Sequence, residues 1–279
     1  MPHGLHSVSG RVAVVTGAAS GIGRATARLL ARRGATLALG DIDERGLQEV
    51  LNEVRALGGR VHHERVDVTQ AGAVTAWASR VERELGPADL LVNSAGIVVL
   101  AAFLETELDD FRQLIDVNLM GPVHVCRAFL PAMLARGGGG YVVNVASAAA
   151  FASPSELAGY GATKHGLVGL SQALADELSA HAIGVSSVCP GFVDTPILTR
   201  ARVRGAGDTE ARRAAAGQLL RWRRLSAERV AERIVWAAER GEPVVPVGAE
   251  AQLLALLSRL LPGRVTPLFG RLRRLGSRT

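Results

Sequence analysis

Three side chains between Ser147 and Lys164 can form one proton-handling site: Ser147, Tyr160 and Lys164, in the stretch SAAAFASPSELAGYGATK. Tyr160 and Lys164 stand four apart in a segment whose leucines, Leu167, Leu170, Leu174 and Leu178, recur at helical spacing. Residues i and i+4 share a helix face, so the phenol and the ammonium point into the same space. A phenol with an ordinary pKa of about 10 is a poor base at neutral pH, and a fixed cation beside it favours the phenolate. Bringing it near neutrality takes about 4 kcal/mol, which a close ammonium in a partly desolvated cleft can supply. Lys164 is also the only lysine of the chain; every other positive side chain is arginine. Taken alone, Tyr-x-x-x-Lys is more often an exposed helix face than a site, and what lifts it is the segment upstream.

There, the apolar run RVAVVT (11–16) ends in TGAASGIG and opens into a helical pattern of Ile22, Ala25, Leu29 and Leu30. Strand, glycine turn and helix are the setting in which such a turn binds phosphate. Gly17 permits the sharp turn, Gly21 lets the backbone approach a pyrophosphate, and Gly23 lets the helix pack close to the strand. Amide groups and the positive end of the helix then face the anion. The next strand, 36–41, ends in Asp41, placed to bond both ribose hydroxyls of NAD and to repel a 2′-phosphate. Ser20 is neutral, and Arg45 on the following helix is the one basic residue nearby; NAD is favoured over NADP. Asp41 can also cap the helix starting near residue 43, and the two roles can coexist.

The same rhythm continues: helix 43–57, strand 60–66 ending in Asp67-Val68, helix 70–85, strand 88–92 ending in Asn93-Ser94-Ala95-Gly96. A long helix over 107–136 contains Asn118, a strand at 141–145 leads to Ser147, and a strand at 183–188 leads to Pro190-Gly191. Strands alternating with helices imply right-handed crossovers and a parallel sheet covered on both faces. Ligands on such a sheet sit at the carboxyl ends of its strands, where Gly17, Asp41, Asp67, Asn93, Ser147 and Pro190 all fall.

Composition agrees. The chain has 279 residues, 48% of them hydrophobic, with 32 glycines, which fits a globular α/β protein rather than a disordered or fibrous one. Cys126 and Cys189 are too few for a disulfide framework and have no metal-ligand spacing, nor have the seven histidines. His62 and His63 fall on opposite faces of a strand, and His165 faces away from the site. With no apolar leader or bilayer-length run, the expectation is a cytoplasmic protein with reduced thiols and no metal. The net charge of +6 is uneven: residues 200–224 carry eight arginines against Asp208 and Glu210, and residues 251–279 carry six arginines and no acid. A mildly acidic body with two basic segments is not a nucleic-acid binder.

Taken together, these motifs resemble the short-chain dehydrogenase/reductase family over about residues 10–195. The pieces that carry the resemblance are TGAASGIG, Asp41, Asp67-Val68, NSAG at 93–96, Asn118, Ser147, YGATK at 160–164 and PGFVDT at 190–195. Ser94 departs from the family's more usual asparagine or cysteine. The resemblance implies a single Rossmann-like domain over 11–248 with a seven-stranded sheet in the order 3-2-1-4-5-6-7. A flexible terminus (1–10), a lid at about 194–217 and a C-terminal extension (249–279) complete it. It also implies a catalytic tetrad of Asn118, Ser147, Tyr160 and Lys164. Tyr160 removes the alcohol proton as hydride passes to the nicotinamide, Ser147 holds the substrate oxygen, Lys164 binds the nicotinamide ribose, and Asn118 positions a water linking Lys164 to solvent. Ile22, Asn93, Ala95, Gly96, Pro190 and Gly191 join the cofactor site; Asp67 and Val68 face the adenine, and Val193 and Thr195 the carboxamide. Thr195 is equally readable as a helix cap before Pro196.

Candidate pocket residues are Ala149, Phe151, Leu157 and Phe192, all apolar, so the expected substrate is a secondary alcohol or ketone on a hydrophobic body: a steroid, terpenoid, retinoid or long acyl chain. Two other functions compete: a 3-oxoacyl-thioester reductase whose basic segments dock an acidic carrier, and a dinucleotide sensor without chemistry. Asp41 counts against the first and the complete tetrad against the second. Residues 226–240 read as a helix capped by Ser226, and 243–247 as a last, edge strand with prolines. The apolar, arginine-rich extension has three readings: packing over the pocket or a neighbouring subunit, contact with an anionic membrane surface, or a frayed tail. A homodimer or homotetramer is expected by resemblance.

Overall fold

The computed structural model describes residues 4–205, 225–265 and 267; the rest of the expected lid (206–217) and most of the extension beyond 265 lie outside the described residues. Seven strands and the helices between them appear in chain order: β1 (Val12–Thr16), α1 (Gly21–Arg32), β2 (Thr36–Asp41), α2 (Glu44–Ala56), β3 (Val61–Arg65), α3 (Ala71–Leu85), β4 (Leu90–Asn93), α4 (Leu108–Ile115), α5 (Gly121–Arg136), β5 (Gly140–Val145), α6 (Ala158–Ser179), β6 (Ile183–Pro190), α7 (Ala227–Arg240), β7 (Val244–Val247) and α8 (Ala249–Leu260). The strands form one parallel sheet in the expected order β3-β2-β1-β4-β5-β6-β7.

Alternation along each strand separates two cores. Ala13 and Val15 of β1, Leu37 and Leu39 of β2 and Val143 of β5 face α1, α2 and α7, through Leu30, Val50 and Ile234. Val14, Ala38, Leu91 and Val142 face the other way, against Trp77 of α3, Phe129 and Met133 of α5 and Leu178 of α6. Trp77 and Phe129 meet edge to face at 5.2 Å. β7 lies at the sheet edge as its prolines suggested, and Ser226 caps α7 by accepting from the Arg229 amide at 3.1 Å.

Three details differ from expectation. Within the terminus expected to be flexible (1–10), two residues are anchored: Leu5 and Val8 are buried in the first core, and the Leu5 amide donates to Ala238 O at 2.8 Å. The long helix expected over 107–136 is continuous but widens between α4 and α5 into a π-type turn, Asp116–Met120, around Asn118. A two-residue pair, Val99–Leu100 with Arg202–Val203, forms a small second sheet joining the loop after β4 to the loop after β6.

Candidate active site

The reversal of connection at β1 and β4 opens a crevice beyond their carboxyl ends. A cleft of about 1940 Å³ runs through it from the glycine turn to α8. At the turn, Gly17 has φ +65°, and a β-carbon there would stand 2.7 Å from the Ala95 amide nitrogen; at Gly23 one would stand 2.1 Å from Gly17 O. Only glycine fits at either position, so strand, turn and helix close to the distance that a pyrophosphate cradle needs. α1 begins at Gly21 with no side-chain cap and no acid in its first turn, leaving its amide groups to an anion. Thr195 stands across from the turn, its side chain 3.1 Å from where a Gly21 β-carbon would lie.

Asp41 closes the far wall of the cleft. Its carboxylate accepts from the Ala19 and Asp43 amides, both at 2.9 Å, which fixes the glycine turn to the end of β2. The helix cap is Asp43 rather than Asp41: its side chain accepts from the Gly46 amide at 3.0 Å. Arg45 points away, 95% exposed and 3.9 Å from Glu49. One step along, Asp67 Oδ1 accepts from the Thr69 amide and hydroxyl at 2.9 and 2.8 Å. This Asx turn sets Asp67 and Val68 into the cleft wall. These features fit a nicotinamide dinucleotide: a cradle with no room for β-carbons, an open helix start, and an acid at the end of β2 on the cleft wall.

Ser147, Tyr160 and Lys164 line the other half of the cleft, with Val145, Pro190, Gly191, Phe192 and Val193. Ser147 ends the β5 segment and accepts from the Ala149 amide at 3.1 Å. Lys164 is 4% exposed; its Nζ donates to Val145 O at 2.9 Å and lies 5.7 Å from the centre of the Tyr160 ring. Burial brings the ammonium down to about 8. Burial also raises the Tyr160 phenol above its ordinary value, and a hydrogen bond with Ser147 opposes this. The expected lowering of Tyr160 by Lys164 is therefore not a property of these protein groups: the amine is turned to a carbonyl and is itself a weakened cation, and desolvation dominates.

Asn118 is fully buried behind Gly96 rather than in the cleft wall. Its Oδ1 accepts from the Ile97 amide at 2.9 Å, and its Nδ2 donates to Ile97 O at 3.0 Å and Thr163 Oγ1 at 3.2 Å. Asn118 Oδ1 and Lys164 Nζ lie 3.3 and 3.7 Å from the point where a Gly96 β-carbon would stand, so glycine there lets both approach the same spot. Asn93 corrects a second expectation. It turns inward instead of lining the cleft, donating to Asn144 Oδ1 at 2.8 Å, and Asn144 donates to Ser171 Oγ at 2.8 Å. It supports the Ser94–Gly96 turn from beneath; Thr16 Oγ1 holds that turn from the side, through the Ser94 and Ala95 amides.

Ala149, Leu157 and Phe192 line the cleft. Phe151 does not: it packs beside Leu167 and Cys189 in a small core cluster. His165 is exposed and bonds back to Gly161 O, away from the site. Cys126 and Cys189 are buried free thiols, both pushed up to about 12 by burial. Sequence reasoning missed Ile42, Arg200, Glu250, Leu253 and Leu254, all of which line the cleft. Glu250 accepts from the Phe192 amide at 3.1 Å, tying α8 to the loop after β6. Arg200 meets Asp43 at 3.3 Å across the cleft mouth. Nothing in the spacing of these residues marked them: Glu250, Leu253 and Leu254 arrive because α8 folds back over the cleft, and Ile42 and Arg200 because the loops after β2 and β6 border it.

A doubly wound parallel sheet with a glycine cradle and a Ser-Tyr-Lys cluster beside it defines a dinucleotide-binding protein of the oxidoreductase type. The family profile described as short chain dehydrogenase matches residues 11–204. Estradiol 17-beta-dehydrogenase 11 of Rattus norvegicus is 32% identical over 267 residues, covering 95% of this chain and 84% of that protein. EphD of Mycobacterium tuberculosis (strain ATCC 25618 / H37Rv) is 39% identical over 252 residues, 89% of this chain; the chain spans less than half, 43%, of EphD's length. A crystal structure of a short-chain dehydrogenase/reductase from Burkholderia phymatum in complex with NAD superposes with a TM-score of 0.85 at 30% identity, covering 91% of this chain and 94% of that one. The chain belongs to the short-chain dehydrogenase/reductase family.

Proposed function

We propose that the protein is an NAD-preferring dehydrogenase interconverting a secondary alcohol and a ketone on a lipophilic body. The observation that carries this is the single cleft holding Asp41 and the glycine cradle at one end and Ser147, Tyr160 and Lys164 among apolar walls at the other. The nicotinamide supplies hydride exchange when bound. Gly17, Gly21, Ile22 and the start of α1 hold its pyrophosphate, and Asp41 its adenosine ribose. Tyr160 exchanges the proton of the reacting oxygen, Ser147 fixes that oxygen by hydrogen bond, and Lys164, backed by Asn118, orients the second ribose. NAD is favoured because the Asp41 and Asp43 carboxylates beside the glycine turn would repel a 2′-phosphate, Arg45 points outward, and Arg200 is already engaged by Asp43.

The apolar lining by Ala149, Leu157, Phe192, Leu253 and Leu254 supports a lipophilic substrate, and the similarity to an estradiol dehydrogenase is in keeping with it. Docking of an acidic acyl carrier by the basic lid has less support, since Arg200, Arg202 and Arg204 are engaged by Asp43, Asp110 and Glu107. The test is NADH formation at 340 nm with a panel of steroid, terpenoid and aliphatic secondary alcohols, repeated with NADP and with a 3-oxoacyl thioester and NADPH. Turnover confined to the thioester, or none with any alcohol, would overturn the reading.

A further inference from the structure

α8 buries Ala251 and Ala255 and turns Leu253, Leu256 and Leu260 outward at helical spacing, 52%, 54% and 66% exposed, with Leu261 following at 39%. This stripe begins at the active-site cleft, because Leu253 and the 44% exposed Phe192 both line it. Arg259 and Arg264 are exposed on the same segment and carry no ion pair among the described residues, whereas Arg200, Arg202, Arg204 and Arg229 do. The sequence from 251 to 279 holds six arginines and no acid.

We infer that the outer face of α8 docks on an anionic lipid surface, its leucines entering the acyl boundary and its arginines facing the headgroups. Charge decides between the possible occupants. Two copies of this chain pairing through the same face would bring two acid-free basic segments together, and like charges oppose that contact. An acidic soluble protein would satisfy the arginines but leave a long leucine stripe to be matched. An anionic membrane surface meets both demands with one partner. Docking there turns the leucine-lined end of the cleft toward the bilayer, where a lipophilic alcohol would be dissolved. The inference rests on this surface rather than on the substrate reading, and either can fail without the other.

The test is flotation of the full chain with phosphatidylcholine vesicles containing phosphatidylglycerol, against phosphatidylcholine alone, at low and high salt. Binding to the anionic vesicles is expected to exceed binding to neutral ones by about tenfold or more and to weaken with salt. Leu256→Glu/Leu260→Glu, both outside the cleft, is expected to lower it about tenfold or more while NADH binding, followed by fluorescence, stays unchanged. Arg259→Glu/Arg264→Glu provides an independent variant with the same expected loss. Failure to bind anionic vesicles, or undiminished binding by both variants, would overturn the inference. So would conversion of an oligomer to a smaller species by the leucine substitutions, which would assign the face to a second copy, or capture of an acidic carrier protein in preference to vesicles.

Discussion

At Tyr160 burial opposes ionisation: it raises the phenol above its ordinary value despite the Ser147 hydrogen bond, and Lys164 donates to Val145 O. A neutral phenol is a proton donor, so the site as built favours delivering a proton to a ketone at neutral pH. Ketone reduction is therefore expected to stay level from about pH 6 to 7, below both groups' transitions, whereas alcohol oxidation should climb as pH rises into the alkaline range. Initial rates in both directions across pH check this; an oxidation rate already level at pH 6 would contradict it. Tyr160→Phe removes the proton and little volume, and is expected to lower turnover about 10²–10⁴-fold while leaving NADH affinity within about threefold. At this scale the sequence was most legible for residues with a fixed spacing, Gly17, Gly23, Tyr160 and Lys164. It misled for Asn93 and Phe151, where the direction of a side chain depends on packing with Asn144 or Leu167 far away in the chain.

Among the elements, the seven strands and the helices up to α7 were readable from period and punctuation, whereas α8, within an extension given no element of its own, was not. The small sheet of Val99–Leu100 with Arg202–Val203 was not, since two-residue strands have no period to read. It is reinforced by Asp110 of α4, fully buried and bonded by Arg202 and by Arg204, whose Nε donates at 2.9 Å. Those two guanidiniums hold the Asp110 carboxyl below its ordinary value against the opposing effect of burial. Asp110→Asn is expected to destabilise the fold by only about 1–2 kcal/mol, because both arginines are partly exposed and rehydrate. It should raise the substrate KM more than it changes the NADH dissociation constant. Denaturant unfolding with kinetics and fluorescence titration separates the two effects.

For the molecule as a whole, Lys164 is a place where function works against stability. Burial brings it from 10.5 to about 8, so between those values the unfolded chain holds more protons than the folded one. The penalty, about 3 kcal/mol, is complete below pH 8 and fades as pH rises toward 10.5. Replacing it by methionine leaves Val145 O without its donor, which costs about 1 kcal/mol. Lys164→Met is thus expected to be inactive yet about 2 kcal/mol more stable at pH 7, with the advantage shrinking as pH rises above about 8. Equilibrium unfolding of both proteins at pH 7 and 9.5 checks the sign.

Arg200, Arg202 and Arg204 lie within five residues, yet they fasten to the start of α2 on one shore of the cleft and to α4 and its approach on the other. A strip moored on both banks ties the two sides of the cleft to one another, so cutting either mooring is felt on the opposite wall.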